Sequence, residues 1–316
     1  MKNIFASVFL SLLIHPVYAQ LPTGILSKQE TDSLILQYCE VLNETYFNQE
    51  KARDVTRTLR KKLKAGEFYN VTQLTDRISL LMREMTHDIH FYLGVNQPAD
   101  TTIISEVTDA SAEHKNGGFS QVRILEGNIG YIRWDAFVVD EGSFKKAIAA
   151  LQFVEGCKAL IFDLSHCPGG DGRIGSFMHR HLFEGDAYQN LLQKRCTGEK
   201  SWSVSEVPYN YTNGPALYDL PVYVIVSEHT ASASEYFALI MQEMKRGVVL
   251  GNTTAGAGNP STIVTFGNFF AYIPICEIET TNGTSIEGKG VKPDIFLTSE
   301  DWIEETVEYI RSHPQK

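Results

Sequence analysis

Thr230, Ser232 and Ser234 share a short polar turn between two apolar runs. Before it, residues 222–226 read VYVIV, continuously apolar and mostly β-branched, which predicts a strand buried on both faces. After it, Tyr236, Phe237, Ile240, Met241 and Met244 recur at helical spacing. A hydroxyl at the start of that helix meets unbonded N–H groups and the positive end of the helix dipole, which favour developing negative charge. That is a setting for a nucleophile. The same residues also fit a purely structural role, because Ser232 followed three positions later by Glu235 is a capping-box pattern.

A nucleophilic serine needs a base, since a hydroxyl is weak at its own pKa. His90, in MTHDIHFYLGV, is one candidate; the plainer reading makes it a capping or core histidine. His87 lies three residues away, but no third ligand of matching type sits nearby, so we expect no metal and no cofactor. In KALIFDLSHCPGGDG the pair Gly169-Gly170 makes a turn after a buried strand, and glycines let backbone approach a substrate carbonyl closely. Glu287, in SIEGKGVKPDIFL, reads by itself as a solvated charge in a glycine-rich turn. His179 and His181 alternate along a helix and so point to different sides, which predicts surface positions.

Several of these stretches together resemble the C-terminal processing peptidase family. TASASE, the apolar helix after it and VVLGNTTAGAG resemble that family's nucleophile element, in which the first serine, here Ser232, attacks. Gly130-Tyr131-Ile132 is similar to the element opening its catalytic domain, and EGKGVKPDI resembles its EGxGVxPDI element. DLSHCPGG resembles DLRxNxGG, with Ser165 where Arg is usual and Cys167 where Asn is usual. The resemblance implies an oxyanion hole from Gly169 or Gly170 and the N–H of Ala233. One branch of the family draws its base from a lysine in the loop after the nucleophile helix, a position that falls here on Ala257. The resemblance then points to the branch similar to the tricorn core and the repeats of interphotoreceptor retinoid-binding protein, with His90 as base and Glu287 orienting it. It implies an α/β fold, a ClpP/crotonase-like core of strand–strand–helix units with an N-terminal helical domain. The implied activity is that of a serine peptidase acting on a peptide or unfolded protein through a Ser232 acyl-enzyme. The retinoid-binding repeats imply the alternative, a binding protein for an apolar ligand or peptide on the same scaffold.

The elements that must position these residues follow from periodicity. Residues 27 to 93 read as helices, with stripes Leu34, Ile35, Tyr38, Leu42, then Val55, Leu59, Leu63, then Leu74, Ile78, Leu81, Met82, Met85. We divide the chain into a signal peptide over 1–19, an N-terminal helical domain over 20–97, a polar linker over 98–118 and the catalytic domain over 119–316. The interval between His90 and the strand at Ile129 is too short for the PDZ domain of many family members. FSQVRIL and NIGYIRW predict paired strands, and a hairpin turns at Gly267-Asn268. Residues 184 to 219 lack a clear period and read as loops, whose Trp202, Tyr209, Tyr211 and Tyr218 border the site or cover the core.

A net charge of −10 argues against nucleic acid as a partner. Lys2, the apolar run from Ile4 to Ile14 and Val17-Tyr18-Ala19 predict an export signal cleaved near Ala19, giving a periplasmic or extracellular protein without a membrane anchor. The 5 cysteines leave at least one without an internal partner and allow one or two disulfides in an oxidising compartment.

Overall fold

Apolar alternation along three neighbouring strands sets the architecture. In the computed structural model, which describes residues 25–96, 116–140, 142–205 and 214–313, the chain runs through helices α1 (Lys28–Thr45), α2 (Gln49–Lys64) and α3 (Leu74–Thr86) into strand β1 (Tyr92–Val95). Then come β2 (Phe119–Leu125), β3 (Ile129–Trp134), α4 (Ser143–Val154), β4 (Ala159–Asp163), α5 (Gly172–Leu182), β5 (Leu192–Cys196) and β6 (Ser203–Val204). The rest is β7 (Val222–Val226), α6 (Ala233–Glu243), β8 (Gly247–Gly251), β9 (Ser261–Phe266), β10 (Phe269–Pro274), β11 (Cys276–Thr280), β12 (Ile295–Phe296) and α7 (Trp302–Ser312).

Six strands form the central sheet in the order β12-β8-β7-β4-β3-β2, parallel except where β2 meets β3. Both faces are covered, as parallel sheets require. Ile132, Leu160, Phe162, Val222 and Val224 face one core with residues of α4, α5 and α6. Tyr131, Ile161, Tyr223 and Ile225 face the other, closed by Val307 of α7. Phe237, one turn into α6, packs edge-on against Trp134, Phe137 and Phe162. Burying a ring of this size contributes about 1.5–3 kcal/mol and fixes the start of α6 against the sheet.

The three N-terminal helices form, as their stripes predict, but their core is not closed by them. Phe266, Phe269, Ala271 and Ile273 of the β9–β10 hairpin complete it, and β10 pairs antiparallel with β1. The hairpin turns at Gly267-Asn268 as expected.

Two expectations are corrected. His179 and His181 are buried, with 1% and 4% exposure, not at the surface. Helix α5 is enclosed on both sides: His179 stacks on Phe237 of α6 at 4.4 Å, and Nδ1 of His181 meets the Pro215 carbonyl at 3.0 Å. Residues 184–219 are also not all loop. β5 and β6 form there, and β5 pairs with β11, where Cys196 and Cys276 are joined as a disulfide. The partner strand is 80 residues away in sequence, so no local pattern announces it. Cys39, Cys157 and Cys167 are buried thiols. The stretch expected to be an export signal, most of the expected 98–118 linker, Tyr209 and Tyr211 lie outside the described residues. No helix among the described residues is long and apolar enough to cross a membrane.

Candidate active site

The site is built from two halves. In the first, β7 ends, turns through residues 227–232 and starts α6. The turn is held from beneath by the stretch after β4. Ser227 Oγ donates to the Ser165 carbonyl at 2.5 Å, Thr230 Oγ1 to the Leu164 carbonyl at 2.8 Å, and Ser234 Oγ to the Cys167 carbonyl at 2.8 Å. Ala231 N–H also donates to Cys167. Those ties reach the main chain of residues 164–167, so replacing the usual Arg and Asn by Ser165 and Cys167 does not remove them.

Ser232 caps α6 with φ 57° and ψ −125°. A non-glycine residue held there costs of order 1–3 kcal/mol, and such strain clusters at functional sites. A sharp strand-to-helix turn of this kind presents a serine hydroxyl outward. Gly169, at φ 93°, packs directly on the turn: a Cβ there would sit 2.4 Å from the Ala231 carbonyl oxygen and 2.9 Å from Ala233 N. Gly170 faces the other way, bridged to Phe137 through bonds made by its neighbours Gly169 and Asp171.

The capping-box glutamate does more than cap. Glu235 is fully buried and accepts from Ser232 N–H at 2.8 Å, Thr254 Oγ1 at 2.5 Å, Gly256 N–H at 2.8 Å and Ala257 N–H at 2.8 Å. Burial raises its carboxyl above the usual range against the pull of those donors. It therefore locks the 253–259 loop onto the serine turn.

The second half grows from the end of α3. His87 adopts a left-handed conformation there (φ 58°), and the chain turns so that Asp88 is buried at 2% exposure. Nδ1 of His90 lies 3.0 Å from Asp88 Oδ1 and 3.9 Å from Glu287 Oε2. Glu287 Oε2 accepts from the N–H groups of Gly258 and Asn259 at 2.7 and 2.8 Å, and Asn259 Nδ2 donates to Asp88 Oδ2 at 2.8 Å. Burial works against a charged His90, but the Asp88 hydrogen bond and the charges of Asp88 and Glu287 outweigh it and raise its pKa above the ordinary imidazole value. Burial, then the neighbouring Asp88 charge, push Glu287 up to about 8. One ligand atom from each of Asp88, His90 and Glu287 falls within 4.8 Å of the others. Both oxygens of Asp88 and Oε2 of Glu287 carry the hydrogen bonds above, so we read a hydrogen-bonded acid–base cluster. His87 does not join it.

The 253–259 loop connects the halves. Ala257 N–H belongs to Glu235 and the next N–H, of Gly258, to Glu287. The charge of Glu235 is felt at His90. Beside Ser232 opens a cavity, about 930 Å³ with the open solvent at its mouth counted, whose mainly apolar walls (Leu192, Tyr236, Ile240, Ile278) also carry Arg180 and Gln189. Trp202, one of the aromatics expected to border the site or cover the core, lies under the Arg195 guanidinium at 4.8 Å. Ser232, Ala233 and Gly169 are thus brought together, and so are His90 and Glu287. Asp88, Glu235 and Asn259 were missed as site residues. The Asp-x-His spacing was the one available signal for Asp88.

Residues 128–297, more than half of the chain, match the sequence profile described as Peptidase family S41. The chain is 28% identical over 212 residues to a carboxy-terminal-processing protease of Bartonella bacilliformis, covering 65% of this chain and 45% of that protein. It is 27% identical over 170 residues to a carboxyl-terminal-processing protease of Synechocystis, covering 53% and 37%. The chain thus spans less than half the length of these curated relatives. Among solved structures it resembles a peptidase from Parabacteroides merdae described as putative (TM-score 0.64, 17% identity, 92% of this chain and 100% of that one). It also resembles a photosystem II D1 C-terminal processing protease (TM-score 0.57, 17% identity, 87% and 94%). At these identities the likeness is one of fold.

Proposed function

This chain belongs to peptidase family S41, and on that premise we propose that it is an exported serine peptidase with a histidine base. The observation that carries the reading is the strained Ser232 turn with Gly169 beneath it, tied by one loop to the cluster around His90. Ser232 Oγ attacks the peptide carbonyl and its proton passes to His90 Nε2. The N–H of Ala233 at the start of α6, with that of Gly169 or Gly170, holds the oxyanion. The imidazolium returns the proton to the leaving amine, and water then cleaves the acyl-enzyme by the same route. Ala257 cannot serve as base, and its N–H is held by Glu235. The substrate is a peptide or unfolded protein whose side chain at the scissile bond enters the apolar cavity. The Cys196–Cys276 disulfide supports an oxidising compartment.

The apolar walls of the cavity favour one second reading, a carrier of an apolar ligand on the same scaffold. A fluorophosphonate probe separates the two. The enzyme reading expects one adduct on Ser232, absent in Ser232→Ala and formed at least a hundredfold more slowly in His90→Ala, on the order of a general-base contribution. A folded wild-type protein that takes no adduct defeats it, and ligand extraction with mass spectrometry would then test the carrier.

A further inference from the structure

The two carboxylates near His90 do not stand in equivalent places. Asp88 Oδ1 accepts the main-chain N–H of His90 at 3.0 Å and sits 3.0 Å from its ring Nδ1. The other oxygen of Asp88 is anchored by Asn259, and Asp88 N–H is tied to Thr86 Oγ1 at 3.2 Å. Glu287 approaches Nδ1 only to 3.9 Å, and through the oxygen that already accepts two N–H groups. Its remaining oxygen, Oε1, is buried with no partner among the described residues. A buried charge wants its lone pairs satisfied. Asp88 meets that condition and Glu287 does not.

We propose that Asp88 is the positioning residue for His90, fixing the proton on Nδ1 and leaving Nε2 as the basic nitrogen, while Glu287 chiefly clamps residues 258 and 259. This rests on the serine peptidase reading for its consequence, though not for its geometry. Two buried carboxylates side by side resist double ionisation. Glu287 is shifted upward by burial and then by the neighbouring Asp88 charge. The groups facing His90 are Asp88 on its own segment, Glu287 from the 285–290 turn and Glu235 of α6. Tyr46 of α1, whose phenol is raised by burial and by the charges of Asp88 and Glu287, also borders the cluster.

The test uses nitrogen-edited NMR of the mature protein to read the His90 tautomer and titration, alongside inactivation rates with a fluorophosphonate. In wild type, neutral His90 should carry its proton on Nδ1. An Nε2–H tautomer overturns the proposal with no mutant needed. In Asp88→Asn the His90 midpoint should fall, and the inactivation rate should drop by about 10²–10⁴-fold, the scale of a lost orienting aspartate. Glu287→Gln should lose about tenfold or less and lower the midpoint less. Equal losses in the two variants, or a fall under threefold in Asp88→Asn, would overturn it. If Asp88→Asn fails to fold, Asn259→Ala, which removes the anchor but keeps the charge, should slow inactivation with a raised midpoint retained; an unchanged rate counts against the proposal. Should wild type take no probe at all, the peptidase reading fails, and the His90 midpoints of Asp88→Asn and Glu287→Gln still decide between the two carboxylates, a larger fall in Asp88→Asn upholding the proposal and an equal or smaller one overturning it.

Discussion

The serine half and the histidine half of the site are made in opposite ways. Ser232 is placed by contiguous strand–turn–helix units, held by main-chain carbonyls of residues 164–167 and by a glycine that admits no side chain. His90 is placed by carboxylates and an amide drawn from three distant segments, residues 88–90, 259 and 287. The first arrangement tolerates side-chain changes at residues 164–167, because the hydroxyls of Ser227, Thr230 and Ser234 reach only main-chain carbonyls there. The second depends on protonation and on individual side chains, which makes it the half that pH and point mutation reach first.

The largest expected effect is on the serine half. Ser232→Ala should abolish probe labelling and lower peptide hydrolysis by about 10⁴–10⁶-fold, with a melting temperature near wild type; measurable labelling elsewhere would break the comparison. Gly169→Ala should break the same half through the backbone. A left-handed φ and a Cβ against the Ala231 carbonyl should cost about 3–5 kcal/mol, read by urea denaturation. A loss under 1 kcal/mol would show the turn to be pliant. Next, replacing both Cys196 and Cys276 by Ser should lower stability by about 2–5 kcal/mol while labelling of the folded protein continues. Loss of labelling in a folded double variant would extend the histidine half to the β5–β11 edge.

The smallest effect sharpens the histidine half by pH. Both His90 and Glu287 have pKa values raised by folding, so each binds its proton more tightly in the native state. Their stabilising contribution is full below the unfolded-state values and is lost as pH rises, for Glu287 between about 4.5 and 8. Stability should therefore decline by a few kcal/mol at most across that window, and Glu287→Gln should flatten the decline. A slope unchanged in Glu287→Gln would show that Glu287 is ionised throughout.

This division also governs how much could be read from the sequence. The VYVIV strand, the stripe of α6 and the Gly169-Gly170 turn carry their structure in local spacing, and each formed where expected. The N-terminal stripes likewise gave three helices. Burial of His179 and His181 depends on α6 and the 214–217 segment, which helical alternation does not register. The Asp88–Asn259 contact spans 171 residues and joins two ordinary polar side chains, so neither stretch reveals it alone. Glu235 was legible only as a cap because its other three donors come from residues 254–257.

The β9–β10 hairpin has a consequence in time. The core of α1, α2 and α3 takes four side chains from residues 266–273, and β1 finds its partner in β10. Contacts of such sequence separation close late and slowly. A chain emerging from synthesis can thus assemble β3, β4, β7 and the serine turn while the N-terminal helices still lack the strands that seal them. On this order the N-terminal helices are expected to be sealed late, with the nucleophile turn formed before the histidine has a fixed address.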